Sequence, residues 1–225
     1  MKHASQKCLQ IIGCGSVFKS IQVDIGRYCL DYGQINFVEF DDVSSIALNT
    51  ASVLSDLSPE AADLFLAVDQ NALNYARLEL YGPAKLKGFK CTSMVHDSAA
   101  LGVGTYIGEN VWIGPNVRIF NRCNIAADTF IAACSTIGDD THVGAHSWIG
   151  KNCLISDSVS IGTNCVICDL ININAKIKIG RNTILAQPGL ILNNVQSGTF
   201  HEFIYEKPGH MIGRNYSFSK RGVSK

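Results

Sequence analysis

The sequence has no surplus of charge of either sign: 19 Lys and Arg stand against 19 Asp and Glu in 225 residues. Such a balance gives no electrostatic footprint for nucleic acid or for an anionic membrane surface. No apolar run reaches the roughly 18 residues of a membrane-spanning helix, and the N-terminal segment lacks the layout of a secretory signal. A cytoplasmic protein is therefore expected, with no nucleic acid partner and no membrane insertion. The nine cysteines lack metal-ligand spacing, and their odd number argues against a disulfide framework. In a reducing compartment they act as small core fillers, and no metal is expected.

What the sequence does have is a period of six. Stepping by six from Val95 gives Leu101, Ile107, Ile113, Ile119, Ile125, Ile131, Ile137, Val143, Ile149, Ile155, Ile161, Ile167, Ile173, Ile179, Leu185 and Ile191, all aliphatic. Two places earlier runs a column of small or β-branched residues, among them Val111, Cys123, Thr129, Ser135, Thr141, Ser147, Cys153 and Cys165. The following place is often Gly or Ala, as at Gly108, Gly114, Ala126, Ala132, Gly138 and Gly144. Six matches neither a helix nor simple alternation. It matches a short strand and a corner, repeated, and a hexapeptide period marks a parallel β-helix. Both columns point inward, the residue between them points outward, and the small residue is expected to let the chain turn. At three hexads per coil the series makes roughly five coils, on the order of 25 Å of prism at a 4.8 Å strand spacing. Nothing interrupts the register, so any chemistry must lie on outward or corner side chains.

The first part reads differently. Residues 7–12 (KCLQII) form a strand pattern, followed by Gly13-Cys14-Gly15-Ser16 and a helix expected to run to about Leu30. Ile35 to Phe40 is a second strand, closed by Asp41-Asp42, and Leu64 to Val68 a third. Asn71 to Leu86 has helical spacing, with Gly88 as its stop. Alternation of this type predicts a small parallel sheet. A Gly-x-Gly between strand and helix either brings backbone N–H groups to a phosphate or is only a tight turn.

The hexads and the pieces IIGCGS, FDD at 40–42, AVDQN at 67–71 and KGFKCTSMVHDSA at 87–99 together resemble the hexapeptide-repeat sugar acetyltransferases. Within them the likeness is to the sialic acid O-acetyltransferase and UDP-amino-sugar N-acetyltransferase group. The resemblance covers residues 7 to about 192. It implies a Rossmann-like α/β domain (1–92) for a nucleotide sugar, a left-handed parallel β-helix (93–192) and a C-terminal tail (193–225). Left-handedness comes from the resemblance, since the usual crossover rule favours the other hand. The tail, with Phe200, Phe203, Tyr205 and Tyr216, is expected to pack along the prism or to cap its open end.

The resemblance also implies a reaction, acetyl transfer from acetyl-CoA to a nucleotide-linked sugar in bacterial surface polysaccharide synthesis. It nominates Gly13, Cys14, Gly15, Asp41 and Asp42 for the nucleotide sugar. The family's catalytic histidine falls on Asp139, followed by a matching Asp140, and a second family histidine near acetyl-CoA falls on Trp148. His142 and His146 stand close by, and with Asp139 they are the candidate catalytic residues. Loss of the usual base favours an amine acceptor over a hydroxyl, because some free amine exists near neutral pH. Lys176, Lys178 and Arg181 form a basic cluster suited to the phosphates of coenzyme A. His96, at the hand-over between domains, reads as a packing residue.

Every third hexad returns to the same face, so the outward residues sort into three walls. Trp112, Phe130, Trp148, Val166 and Ile184 make the first, Tyr106, Asn124, His142, Ser160 and Lys178 the second, and Arg118, Thr136, Leu154, Asn172 and Leu190 the third. An apolar outer stripe marks a contact surface. Since the family forms trimers, a homotrimer through the Trp112/Phe130/Trp148 wall is expected, the alternative being that the α/β domain or the tail folds over it. Two other functional readings stay open: a non-catalytic homologue that binds on the same fold, and a γ-type carbonic anhydrase, which would need three convergent histidines.

Overall fold

A computed structural model describes residues 7–28, 30–205 and 207–211. The α/β part is a three-stranded parallel sheet in the order β2-β1-β3, built from β1 (Cys8–Cys14), β2 (Ile35–Glu39) and β3 (Ala62–Val68). Around it lie α1 (Ser16–Asp24), α2 (Val43–Ser55) and α3 (Tyr75–Leu86). The parallel sheet agrees with the strand pattern. Two local expectations do not hold. The first helix ends at Asp24, and after one 3-10 turn Tyr28 bridges to His96, so residues expected as helix tie the sheet to the prism instead. And α2 lies where no helix was expected. Its start is nonetheless written in the sequence, because Asp42 and Ser45 form a reciprocal capping box.

From Met94 to Ile191 the chain winds as a parallel β-helix of two- and three-residue strands. The three walls fall where the hexads put them, with parallel pairs such as Trp112–Phe130–Trp148, Asn124–His142–Ser160 and Arg118–Thr136–Leu154. The first and third walls hold six strands and the second five from this stretch, so the prism is slightly longer than the five coils expected. The aliphatic column is buried throughout, from Ile113 to Leu185. The small column solves a polar problem. Its hydroxyls and thiols donate to corner carbonyls of the next hexads, as in Ser135 to Gly150 O at 2.6 Å, Thr129 to Gly144 O at 3.1 Å and Cys123 Sγ to Gly138 O at 3.0 Å. Each of these three buried donors thus finds an acceptor. The core cysteines are free, and burial pushes the Cys153 and Cys165 thiols up to about 11.

The corners turn by a different device from the one expected. The left-handed φ falls three places after the aliphatic residue, mostly on Asn and Asp, as at Asn110 (52°), Asn116 (55°), Asp128 (56°) and Asn164 (55°). These residues tolerate that region best among side chains. The glycine one place after the aliphatic residue serves stacking: a Cβ on Gly144 would sit 2.6 Å from the Gly162 carbonyl carbon in the coil above.

The apolar first wall is not an oligomer surface. The α/β part of the same chain covers it: Leu9, Ile11, Phe18, Ile21 and Phe65 pack on Met94, Trp112, Phe130, Trp148 and Val166 in one buried cluster. Phe65 stacks on Phe130 at 5.8 Å, and Trp112 Nε1 donates to the Tyr28 hydroxyl at 3.0 Å. The trimer expected through Trp112, Phe130 and Trp148 is therefore corrected, because that wall is already filled. The tail caps the open end as one of its expected placements: Thr199–His201 adds parallel to Ile184–Leu185, and Gly209–His210 closes antiparallel on it. Tyr216 lies outside the described residues. Among the described residues, no helix is long and apolar enough to cross a membrane.

Phe130 is fully buried between the two parts. Phe130→Ala is expected to lower stability by about 3–5 kcal/mol in urea unfolding of the whole chain. A loss within about 0.5 kcal/mol, the range of surface substitutions, would contradict the docking.

Candidate active site

Three places along the prism bear on chemistry. The first is the edge between the second and first walls. There Asn110, Asp128 and His146 stand one coil apart, each with left-handed φ. Asn110 Nδ2 donates to Asp128 Oδ1 at 2.7 Å, and His146 Nδ1 lies 2.9 Å from Asp128 Oδ2. Arg77 of α3 enters from the α/β side. Its Nε meets Asp128 Oδ1 at 3.0 Å with both side chains 0% exposed. Its remaining nitrogens donate to the carbonyls of Val68, Asp128 and Ser147, and the guanidinium lies 4.1 Å from the centre of the Phe130 ring. Burial pulls the Arg77 guanidinium below its ordinary value while the Asp128 charge holds it up. Buried charges of this kind persist only when paired and fully hydrogen-bonded.

That network fixes His146. Asn74 Nδ2 donates to its carbonyl at 2.9 Å, and the Tyr81 ring meets it edge-on at 5.5 Å. The ionised partner of Arg77 accepts from Nδ1–H, which leaves Nε2 of a partly exposed imidazole with its lone pair free. Burial raises the Tyr81 phenol well above its ordinary value, so that ring stays neutral.

The second place is the edge between the third and second walls, where the resemblance puts the base. Asp139 is used there as a corner cap. Its Oδ1 accepts from Asn121 N–H at 2.7 Å and Asn121 Nδ2 at 3.1 Å, while its own N–H donates to Asp157 at 2.9 Å. Asp140 forms a two-bond pair with Arg122 at 2.6 and 2.8 Å, which holds its carboxyl below the usual range. His142 is exposed on the second wall between Asn124 and Ser160. Asp139, His142 and His146 thus lie on one edge, one wall and another edge, and the fold does not bring them together within a chain. Lys176, Lys178 and Arg181 are exposed and spread over the same second wall and its two edges.

The third place lies where the carboxyl ends of the sheet strands meet the prism. Gly13, Cys14 and Gly15 sit there, with Asp41 and Asp42 just past β2. Their closeness shows in Cys14, whose thiol is pushed up by burial and then by the charges of Asp69, Asp42 and Glu39. Ligands of open α/β sheets bind at this end. Yet both glycines have structural causes. A Cβ on Gly13 would lie 1.8 Å from the Ala67 carbonyl oxygen, and one on Gly15, whose φ is 94°, would lie 2.6 Å from the carboxyl carbon of Asp69. Beside the turn a cavity of about 400 Å³ is lined by Ser16, Asp69 and Gln70 from the α/β part and Trp148, Lys151, Cys168 and Asp169 from the prism. Trp148 borders it with its exposed fringe, the rest of the ring being buried under the α/β layer.

The sequence reading named His146 but missed Arg77, Asn110, Asp128 and Asp69. A usable signal existed for two of them: Asn110, Asp128 and His146 follow one another by 18 residues, one full coil. No such spacing announces Arg77 or Asp69. Among the described residues, no group of three or more His, Cys, Asp or Glu is arranged to hold a metal ion.

Comparison with known proteins bears on the fold. Residues 89–198 match the family model described as the GMPPB C-terminal domain, just under half of the chain. Among solved structures, the chain is similar to PerB from Caulobacter crescentus in complex with CoA and GDP-perosamine, at 19% identity and a TM-score of 0.67, covering 89% of this chain and 96% of that one. The chain has the fold of these left-handed β-helix acetyltransferases. WeeI from Acinetobacter baumannii (12% identity, TM-score 0.62, 86% and 96% coverage) and the acetyltransferase domain of PglB from Neisseria gonorrhoeae (17%, 0.52, 86% and 95%) share it. No curated protein matches the chain.

Arg77→Met alone is expected to cost about 3–5 kcal/mol by leaving Asp128 charged and unpaired. Adding Asp128→Asn should recover part of that loss. Additive losses in the double-mutant cycle would contradict the buried pairing.

Proposed function

We propose that this chain transfers an acetyl group from acetyl-CoA to the amino group of a nucleotide-linked sugar. The observation that carries the reading is the joint arrangement of its parts. The carboxyl end of a nucleotide-binding type of sheet opens onto a left-handed prism, in an architecture shared over nearly the full length of a structure that holds CoA and GDP-perosamine. A nucleotide sugar is placed at the crevice beside Asp41, Asp42 and the Gly13–Gly15 turn. Lys176, Lys178 and Arg181 are assigned to the phosphates of coenzyme A.

His146 is the base in this reading, because it alone of the three candidates has a buried carboxylate behind it. The free amine attacks the thioester carbonyl, and Nε2 takes the proton that its nitrogen sheds as the C–N bond forms. The tetrahedral adduct then expels the CoA thiolate, which receives that proton from the imidazolium. Asp128 stabilises the imidazolium and holds the productive tautomer. An amine suits this arrangement better than a hydroxyl, which needs stronger general-base help.

Oligomerisation is assigned to the faces that the α/β layer leaves bare. Tyr106 on the second wall and Leu154 and Leu190 on the third are about half exposed or more. A homotrimer using these walls would bring the His146 edge of one subunit toward the third wall of the next. The same assignment puts the protein in the cytoplasm, in the synthesis of bacterial surface polysaccharide. The second reading, a binding homologue without catalysis, draws on one observation: Asp139, at the family's base position, has its carboxylate committed to Asn121.

Release of free thiol from acetyl-CoA, assayed over a panel of nucleotide-linked amino sugars, should identify an acceptor. With that acceptor, His146→Ala is expected to lower kcat by about 10²–10⁴-fold, while Asp139→Asn leaves it near the parent value. No thiol release with any amino sugar would favour the binding homologue, and an unchanged kcat in His146→Ala would remove His146 from the mechanism.

A further inference from the structure

The glycine turn after β1 looks like a phosphate seat, but its donors are occupied by the chain itself. Asp69, just past the end of β3, reaches across to the first turn of α1. Its Oδ2 accepts from the Ser16 N–H at 2.7 Å and from the Ser16 hydroxyl at 2.7 Å, and its Oδ1 accepts from the Val17 N–H at 2.8 Å. These are the groups a phosphate would use at a strand-turn-helix junction. α1 has no side-chain cap from its own N-cap residue, Gly15, so Asp69 is its cap. The glycine belongs to the same device, since any side chain at 15 would strike the Asp69 carboxylate.

We infer that Asp69 is a specificity-determining residue that fills the anion seat of the glycine turn, so that the diphosphate of the nucleotide sugar gains nothing there and recognition rests on the nucleoside and sugar. A second anion brought to this place would displace a carboxylate that already satisfies three donors, or would lie against its negative charge. The surroundings add to this. Asp42 and Glu39 bear on the neighbouring Cys14 together with Asp69, and Asp169 lines the adjoining cavity. Lys151 is the cavity's cation, on the prism side. The carboxylates keep spare acceptor capacity for sugar hydroxyl or ammonium donors. The inference rests on the nucleotide-sugar reading and specifies how that ligand is held.

The test is the ratio of affinities for a nucleoside diphosphate and its parent nucleoside, measured calorimetrically on the full chain with GDP against guanosine and UDP against uridine. Wild type is expected to bind the members of the preferred pair within about threefold. Asp69→Gly, which empties the seat, is expected to favour the diphosphate by at least about tenfold, or 1.4 kcal/mol. Asp69→Asn keeps the shape and loses the charge, and should show a smaller gain in the same direction; it carries the test if Asp69→Gly does not fold. A wild-type chain that already prefers the diphosphate tenfold, or variants whose ratio does not move, would overturn the inference. Thiol release separates this from the transferase reading: turnover with an unmoved ratio overturns only the role of Asp69, and a shifted ratio without turnover overturns only the transferase.

Discussion

The structure depends on the burial of one outer wall of the prism beneath the α/β layer. A β-helix of this kind can stack coils indefinitely, and nothing in the hexad itself distinguishes its three faces. Here the outward residues of the first wall are Trp112, Phe130, Trp148 and Val166, and they meet Leu9, Ile11, Phe18 and Phe65 in a single apolar cluster. At its margin the Arg77–Asp128 pair ties α3 to the prism edge. Such a pair adds little net stability over an apolar substitute, but it penalises any other docking, since shifting α3 would strand two buried charges. Asn110 adds register at the sheet. It accepts from the Leu66 N–H at 2.8 Å and donates to the Leu66 carbonyl at 3.3 Å, so the outer edge of β3 has a prism side chain as its partner.

This docking sets the geometry of the candidate site. It opens the cavity between Ser16, Asp69 and Gln70, which follow β1 and β3, and Trp148, Lys151 and Asp169 of the prism. The same contact orients His146, because the carboxylate behind the imidazole is itself held by Arg77 from the α/β side. Positioning and folding are thus coupled. The residues that fix the His146 ring are those that fix the interface between the two parts, and the cluster beneath the α/β layer takes in only the first wall.

Much of this could be read in the sequence, and the misses have physical reasons. The period of six specified the prism and the sorting of its walls, because every coil repeats the same local geometry. The first wall's apolar stripe was visible as a contact surface. Its partner was not, because an apolar face says that something covers it and not what. The glycines at 108 and 144 were assigned to turning, whereas the left-handed residue falls two places later, at Asn110 and His146, and those glycines give coil-to-coil clearance. Gly13 and Gly15 matched a phosphate-binding pattern, yet the residue that gives the turn its character, Asp69, lies more than fifty positions away. Local motifs report local geometry, and Arg77 and Asp69 act only through long-range contacts. His146 could be named, but not ranked above His142, until the coil closed and brought Asp128 behind it.

Hydrogen exchange tests most directly whether the α/β layer and the prism form one cooperative unit. The informative amides are those of Leu66, bonded to Asn110 Oδ1, and Phe130, bonded to the Ser147 carbonyl at 2.9 Å. Followed under native conditions with increasing denaturant, the two should converge on a single opening free energy that equals global unfolding. Leu66 and the rest of β3 exchanging through a separate, lower-energy opening while Phe130 and the prism stay protected would contradict the account.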